Sequence, residues 1–495
     1  MKRIIIGSLT AIIAAFVLFG CNGGNYSFTE PTANFDLIDS LIEDGDFVSA
    51  ETLIEKTLQA KGLSEEERYK LYFEKDKMER ILREFNLTKE DAVEYISKYI
   101  PEVTDSQIDS WIGSGALEAK KIYGKWHFFK KSLHNLFLID TNAAKAYIAK
   151  EGVEEETSDF LKGYLPDVLA ESQRQFGLPY IKPQRMRVNV RMRVFPQAAP
   201  AGEIVRMWRP YIHESPKYKD IRLLNVYRSD NSTDYIISPK ENIRQSLYVE
   251  MKANGIDTLI AGYTLEFTSY NEYHPNLEEY IKPYDTSSVL YKTYTSEREQ
   301  HVIFTKKIQN LTAQIVGNET NPYNKVKKIW SYIANTFPWA GARDYSTIPN
   351  IPMYVLRDGH GDCGQVTLLF ITMARIAGVP AKWQSGWMLH PGFVNLHDWA
   401  QVYYEGVGWV SVDQSFGFNG SPENEQQYYF FSRGLDAYRY IVNEDYGAWA
   451  PLYPAKVYPH FDEVDFQMGE VESRFGNIYN GSDGWRCWMD VEYLD

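Results

Sequence analysis

His397-Asp398-Trp399-Ala400-Gln401-Val402-Tyr403-Tyr404, then Glu405-Gly406-Val407-Gly408, then Trp409-Val410-Ser411-Val412-Asp413 is the stretch whose reading decides the fold. The outer runs are rich in β-branched and aromatic residues and the link between them in glycine, which predicts an antiparallel hairpin. A turn centred near Glu405 sets His397 opposite Asp413. Facing side chains in such a ladder touch, so the carboxylate can fix the imidazole tautomer and leave the other ring nitrogen for a reacting group.

Upstream, Gly359-His360-Gly361-Asp362-Cys363-Gly364-Gln365 precedes Val366, Leu369, Phe370, Met373, Ile376 and Ala377, apolar positions at helical spacing that end at Gly378 and Pro380. Cys363 is thereby predicted at a helix N-terminus, where positive dipole charge favours the thiolate and lowers the thiol pKa. Flanking glycines let a substrate backbone approach the sulfur, and free N–H groups beside Gly364 suit an oxyanion. The indole of Trp339 is a second candidate donor; its alternative reading is core packing. A cysteine before a helix is, taken alone, a structural thiol as readily as a nucleophile. His360, Cys363 and His397 fit no common zinc spacing, so neither metal nor other cofactor is expected.

Four ordered blocks over residues 320–420 carry a resemblance: Gly361-Asp362-Cys363, Ala374-Arg375-Ile376-Ala377-Gly378-Val379-Pro380-Ala381, His397-Asp398-Trp399-Ala400-Gln401-Val402 and Gly408-Trp409-Val410-Ser411-Val412-Asp413. Together they resemble the transglutaminase-like core, which implies a papain-like cysteine-protease fold. The resemblance implies that Cys363 is the nucleophile, His397 the general base and acid, and Asp413 its orienting partner. Animal cross-linking members carry Trp after the cysteine where this chain has Gly364, and no acidic, glycine-centred calcium loop is evident. Hydrolysis of a peptide, protein or peptidoglycan-type amide is therefore expected over cross-linking. Residues 432–467 resemble the extension of bacterial members.

Working outward, the predicted class is multidomain α+β. Residues 300–495 form the core and its extension. Over 180–285, Met186, Val188, Val190, Met192 and Val194 alternate with polar residues, and further strand patterns at 204–208, 221–226, 235–237, 246–252 and 263–269 predict a β-sandwich. The run Ala201 to Pro210 resembles the β-rich domain that precedes the core in bacterial members. The alternating arginines read as a solvated strand face before an anion site.

Residues 35–176 read as helical, beginning with a hairpin around Asp44-Gly45-Asp46 that resembles a single tetratricopeptide unit. Thr88 and Thr104 are its predicted N-caps. Residues 107–129 loosely resemble a winged helix, but a net charge of -14 argues against nucleic acid.

Met1-Lys2-Arg3, the apolar run to Phe19 and Leu18-Phe19-Gly20-Cys21 resemble a lipoprotein leader over 1–21, with Cys21 lipidated and 22–34 a tether. An extracytoplasmic protein on a lipid anchor, facing the periplasm, is the expectation. Cys363 and Cys487 are expected to stay reduced, Cys487 as a buried hydrophobe. The competing function is a non-catalytic scaffold that binds carbohydrate or protein, favoured by the abundance of Tyr and Trp.

Overall fold

The computed structural model describes residues 33–152, 158–175, 177–446, 451–460 and 464–495. Cys21, the leader and nearly all of the tether lie outside them. Among the described residues no helix is long and apolar enough to cross a membrane.

The chain opens with helices Phe35–Glu43 and Phe47–Leu58, joined at Gly45 with φ 74°. Each is capped by a side chain, Asn34 and Asp46, that takes a first-turn N–H. Thr88 and Thr104 form full capping boxes with Asp91 and Gln107. The helical reading of this region misses a hairpin, Ala119–Ile122 with Lys125–Phe128. Tyr123 and Gly124, at φ 52° and 75°, supply the two left-handed residues that a tight two-residue turn requires. Helices 35–147 close over two small cores of their own, whereas Leu161, Leu165, Val168 and Leu169 of the Ser158–Arg174 helix pack into the main core.

Two five-stranded sheets follow. In one, Tyr180–Val194 lies between Leu259–Tyr273 and Trp485–Leu494, with Tyr218–Arg228 and Gly434–Leu435 both on Leu259–Tyr273. In the other the order is Gly476–Ile478, Glu470–Ser473, Ile204–Pro210, Ser246–Lys252, Ile236–Ile237. Met186, Val188, Val190, Met192 and Val194 are all buried, as their alternation requires. Arg185, Arg187 and Arg222 on the outer side converge on Glu266 at 2.5–3.0 Å, whereas Arg191 and Arg193 lie over the Tyr227 and Trp488 rings. Strands from 434–494 complete both sheets, so a boundary at 285 does not separate them from the core that follows.

That core is a four-stranded antiparallel sheet, Gly408–Val412, Phe393–Tyr404, Ala381–His390 and Arg439–Asn443, against which the Cys363–Ile376 helix packs. Every residue of this helix from Gly364 to Arg375 is buried, not one apolar face alone. A helix enclosed all round is a central core element, and each fully buried Leu, Ile, Phe or Met in it contributes roughly 1.5–3 kcal/mol. It is therefore a rigid platform for its first residue, Cys363.

Candidate active site

Asp362 ends an extended segment and caps the helix: its Oδ1 accepts the Gln365 N–H at 3.0 Å, while Gln365 Oε1 accepts the Asp362 N–H at 3.1 Å. Chain reversal leaves Cys363 half-buried at the helix start, with its carbonyl accepting Thr367 Oγ1 at 2.7 Å. The expectation of a lowered thiol pKa is overturned. Burial pushes the Cys363 thiol well up, and the Asp398 and Asp362 carboxylates add to it. The helix's positive end is already occupied by the Asp362 cap, so the dipole has an anion beside the sulfur to satisfy it.

Gly364 also differs from its expected use. A methyl group there would collide with the Tyr345 hydroxyl and come within 2.6 Å of Asp398 Oδ2. The space at this glycine belongs to two protein side chains and not to an approaching substrate. Tyr345 Oη donates to Asp362 Oδ1 at 2.6 Å.

The hairpin forms, with a register two residues along from the expected one. Ala400 pairs with Val412 and Tyr404 with Gly408, which centres the turn at Gly406. Asp413 is thereby diagonal to His397, on the same face, and reaches it: His397 Nε2 donates to Asp413 Oδ2 at 2.7 Å. Asp413 is held from several sides, by Ser415 N–H at 3.1 Å, by Arg439 at 3.0 Å, and through its backbone by Trp330 Nε1 and Phe431 O. Burial alone would raise its carboxyl, but His397 and Arg439 outweigh that and hold it below the ordinary range. Burial lowers the His397 imidazole, against the pull of Asp413. A neutral ring beside an ionised carboxylate is the resting state near neutrality.

Arg439, Asp436 and His390 extend this row, with Arg439 Nη2 at 2.7 Å and His390 Nε2 at 3.1 Å from Asp436. All three are buried. Nothing in the linear spacing marks them, because Arg439 reaches Asp413 only through the pairing of Arg439–Asn443 with Ala381–His390.

Cys363, His397 and Asp398 line one cleft of about 970 Å³, together with Trp339, Tyr345 and Gln467. The thiol's hydrogen bond in this cleft runs to Asp398 Oδ2 at 3.5 Å and not to His397. Sequence spacing brings out Cys363, His397 and Asp413; it passes over Asp398, whose role is visible only from its distance to sulfur. Trp339 is 56% exposed at the cleft, so its core-packing reading fails. His360 turns away to the Gly115 carbonyl at 3.1 Å. Among the described residues no cluster of three or more His, Cys, Asp or Glu is set to hold a metal ion. Cys363 and Cys487 are both free thiols.

Comparison with known proteins adds the following. Residues 309–414 match the transglutaminase-like superfamily. The uncharacterized protein YebA of Bacillus subtilis (strain 168) is 23% identical over 138 residues, 24% of this chain and 18% of that relative. The chain thus spans under a fifth of that relative's length. Among solved structures, a candidate cysteine protease from Cytophaga hutchinsonii is 13% identical, with a TM-score of 0.42, over 63% of this chain and 92% of that one. The periplasmic domain of TgpA from Pseudomonas aeruginosa is also 13% identical, with a TM-score of 0.25, over 46% of this chain and 88% of that one.

Proposed function

We propose, for a chain whose residues 309–414 form a transglutaminase-like core, that Cys363 is the nucleophile of an amide-directed cysteine enzyme. His397 serves as its base and acid, and Asp413 orients the ring. The observation that carries this reading is the 2.7 Å bond from His397 Nε2 to the buried Asp413 carboxylate. It leaves Nδ1 as the ring nitrogen for the sulfur, in a cleft that Cys363 and His397 both line.

The thiol proton passes to Nδ1, sulfur attacks the acyl carbon, and the tetrahedral adduct collapses to a thioester as the imidazolium protonates the leaving amine. Water or an amine then takes the acyl group. Water is favoured over an amine as the acceptor, since transfer requires water to be excluded from the thioester and Trp339 on the cleft wall is 56% exposed. Peptides, proteins and peptidoglycan-type amides are the substrates on this reading. The chain works outside the cytoplasm, tethered through Cys21.

The second reading, a non-catalytic binding scaffold, is favoured by the protonated thiol and its bond to Asp398. A peptide library scored for both cleavage and amine incorporation decides between them. Cys363→Ala and His397→Ala are each expected to lower turnover by about 10³-fold or more. Turnover unchanged by either substitution, or absent from the native protein, sinks the enzymatic reading.

A further inference from the structure

The Cys363 thiol donates to a carboxylate and not to the imidazole. Asp398 Oδ2 lies 3.5 Å from the sulfur and 3.5 Å from Tyr345 Oη. Its other oxygen accepts Gln467 Nε2 at 2.5 Å, and the same amide donates to the His397 carbonyl at 2.8 Å. Gln467 thus fixes the Asp398 side chain and the backbone of its neighbour together. The contact is also built into the helix, since only glycine at 364 leaves room for this carboxylate and for Tyr345.

We propose that Asp398 is the resting acceptor of the Cys363 proton, and that turnover begins when the S–H passes from this carboxylate to Nδ1 of His397. The inference rests on the reading of Cys363 as nucleophile. As substrate seats, the S–H swings from Asp398 Oδ2 to the ring, the ring takes the proton, and the freed electron pair on sulfur forms the C–S bond. Asp398 neither gains nor loses a proton in this exchange.

An anion this close disfavours thiolate, so the empty site keeps a thiol slow to react with stray electrophiles. The other ionisable groups around the sulfur are Asp362 at the helix cap, Tyr345 from the preceding loop and His397 from the sheet. Lys131, Lys162, Arg343, Asp344 and Asp465 also line the cleft. Among the carboxylates, Asp398 is the one that receives the thiol.

The test is alkylation of the full chain by iodoacetamide across pH, read on the Cys363 peptide by mass spectrometry. Asp398→Asn should move the midpoint down by about one pH unit or more, making alkylation about tenfold faster near neutrality. Gly364→Ala, whose methyl displaces the carboxylate without changing any charge, should move it the same way. An unchanged or raised midpoint in whichever variant folds overturns the inference. An inactive native enzyme overturns the catalytic reading whatever the midpoint does, whereas an active enzyme with an unshifted midpoint overturns this inference alone.

Discussion

Glu470 sits at the centre of a sealed cluster away from the cleft, with Lys456 Nζ at 2.5 Å and His460 Nδ1 at 2.8 Å. Burial alone would raise its carboxyl, but the ammonium and the hydrogen-bonded ring outweigh it and hold the group down to about 2. A folded-state value below the unfolded one gives stability that is full above the ordinary glutamate range and is lost as pH falls toward about 2. Urea unfolding should therefore show a loss from this one group that begins near pH 5 and steepens toward about 1.4 kcal/mol per pH unit as pH falls to 3, where the unfolded glutamate is protonated and the folded one is not. Glu470→Gln should remove that part of the slope; parallel profiles for native and variant protein would refute it. At the same scale, Cys363, His397 and Asp413 were legible because their motifs are contiguous in the chain. Asp398 stood inside one of those motifs unmarked, since an acid between a histidine and a tryptophan has no reading until its distance to sulfur is known.

At the scale of elements, the hairpin was legible in type and shifted in register. Glycines at 406 and 408 take φ of 83° and 107°, and they move the reversal beyond the residue that a simple midpoint picks. The pairing survives because a shift of two residues keeps His397 and Asp413 on one face. The sheet behind them depends on another glycine. Gly386 pairs with both His397 and Ile441, and a methyl there would run into the Tyr440 carbonyl. That obstacle is backbone, so it cannot turn aside. Gly386→Ala is expected to cost about 1–3 kcal/mol in urea unfolding and to reduce His397-dependent turnover; a variant of native stability would show that the two strands can part freely. The Cys363–Ile376 helix was legible as amphipathic but is enclosed on all sides, which depends on how many elements pack around it and not on its own period.

At the scale of the whole molecule, the helical region grips the cleft. Asn135 exchanges two hydrogen bonds of 2.9 Å with the peptide groups of Gly341, and Lys131 Nζ donates to the Ala342 carbonyl at 2.9 Å. Glu84 accepts the Asp344 N–H at 2.9 Å and Arg343 pairs with Glu118 at 2.8 Å. The loop so held carries Trp339 and Tyr345 into the cleft. Asn135→Ala removes both hydrogen bonds from the half-buried Gly341 peptide, which should cost about 1–3 kcal/mol. Amide exchange across residues 339–347 should quicken in this variant, and exchange at the native rate would mean that the loop stands without its clamp.

The sequence by itself determined the identity of the core and the nearness of His397 to Asp413, because helix periods, strand alternation and hairpin pairing are local rules written in contiguous residues. Only the tertiary structure decided that Asp398 receives the thiol, that Arg439 buttresses Asp413, that the last strands complete sheets begun near residue 180, and that the helical region clamps the loop carrying Trp339 and Tyr345. Each of these joins segments distant in the chain, and such contacts follow from how whole surfaces fit, which no local period encodes.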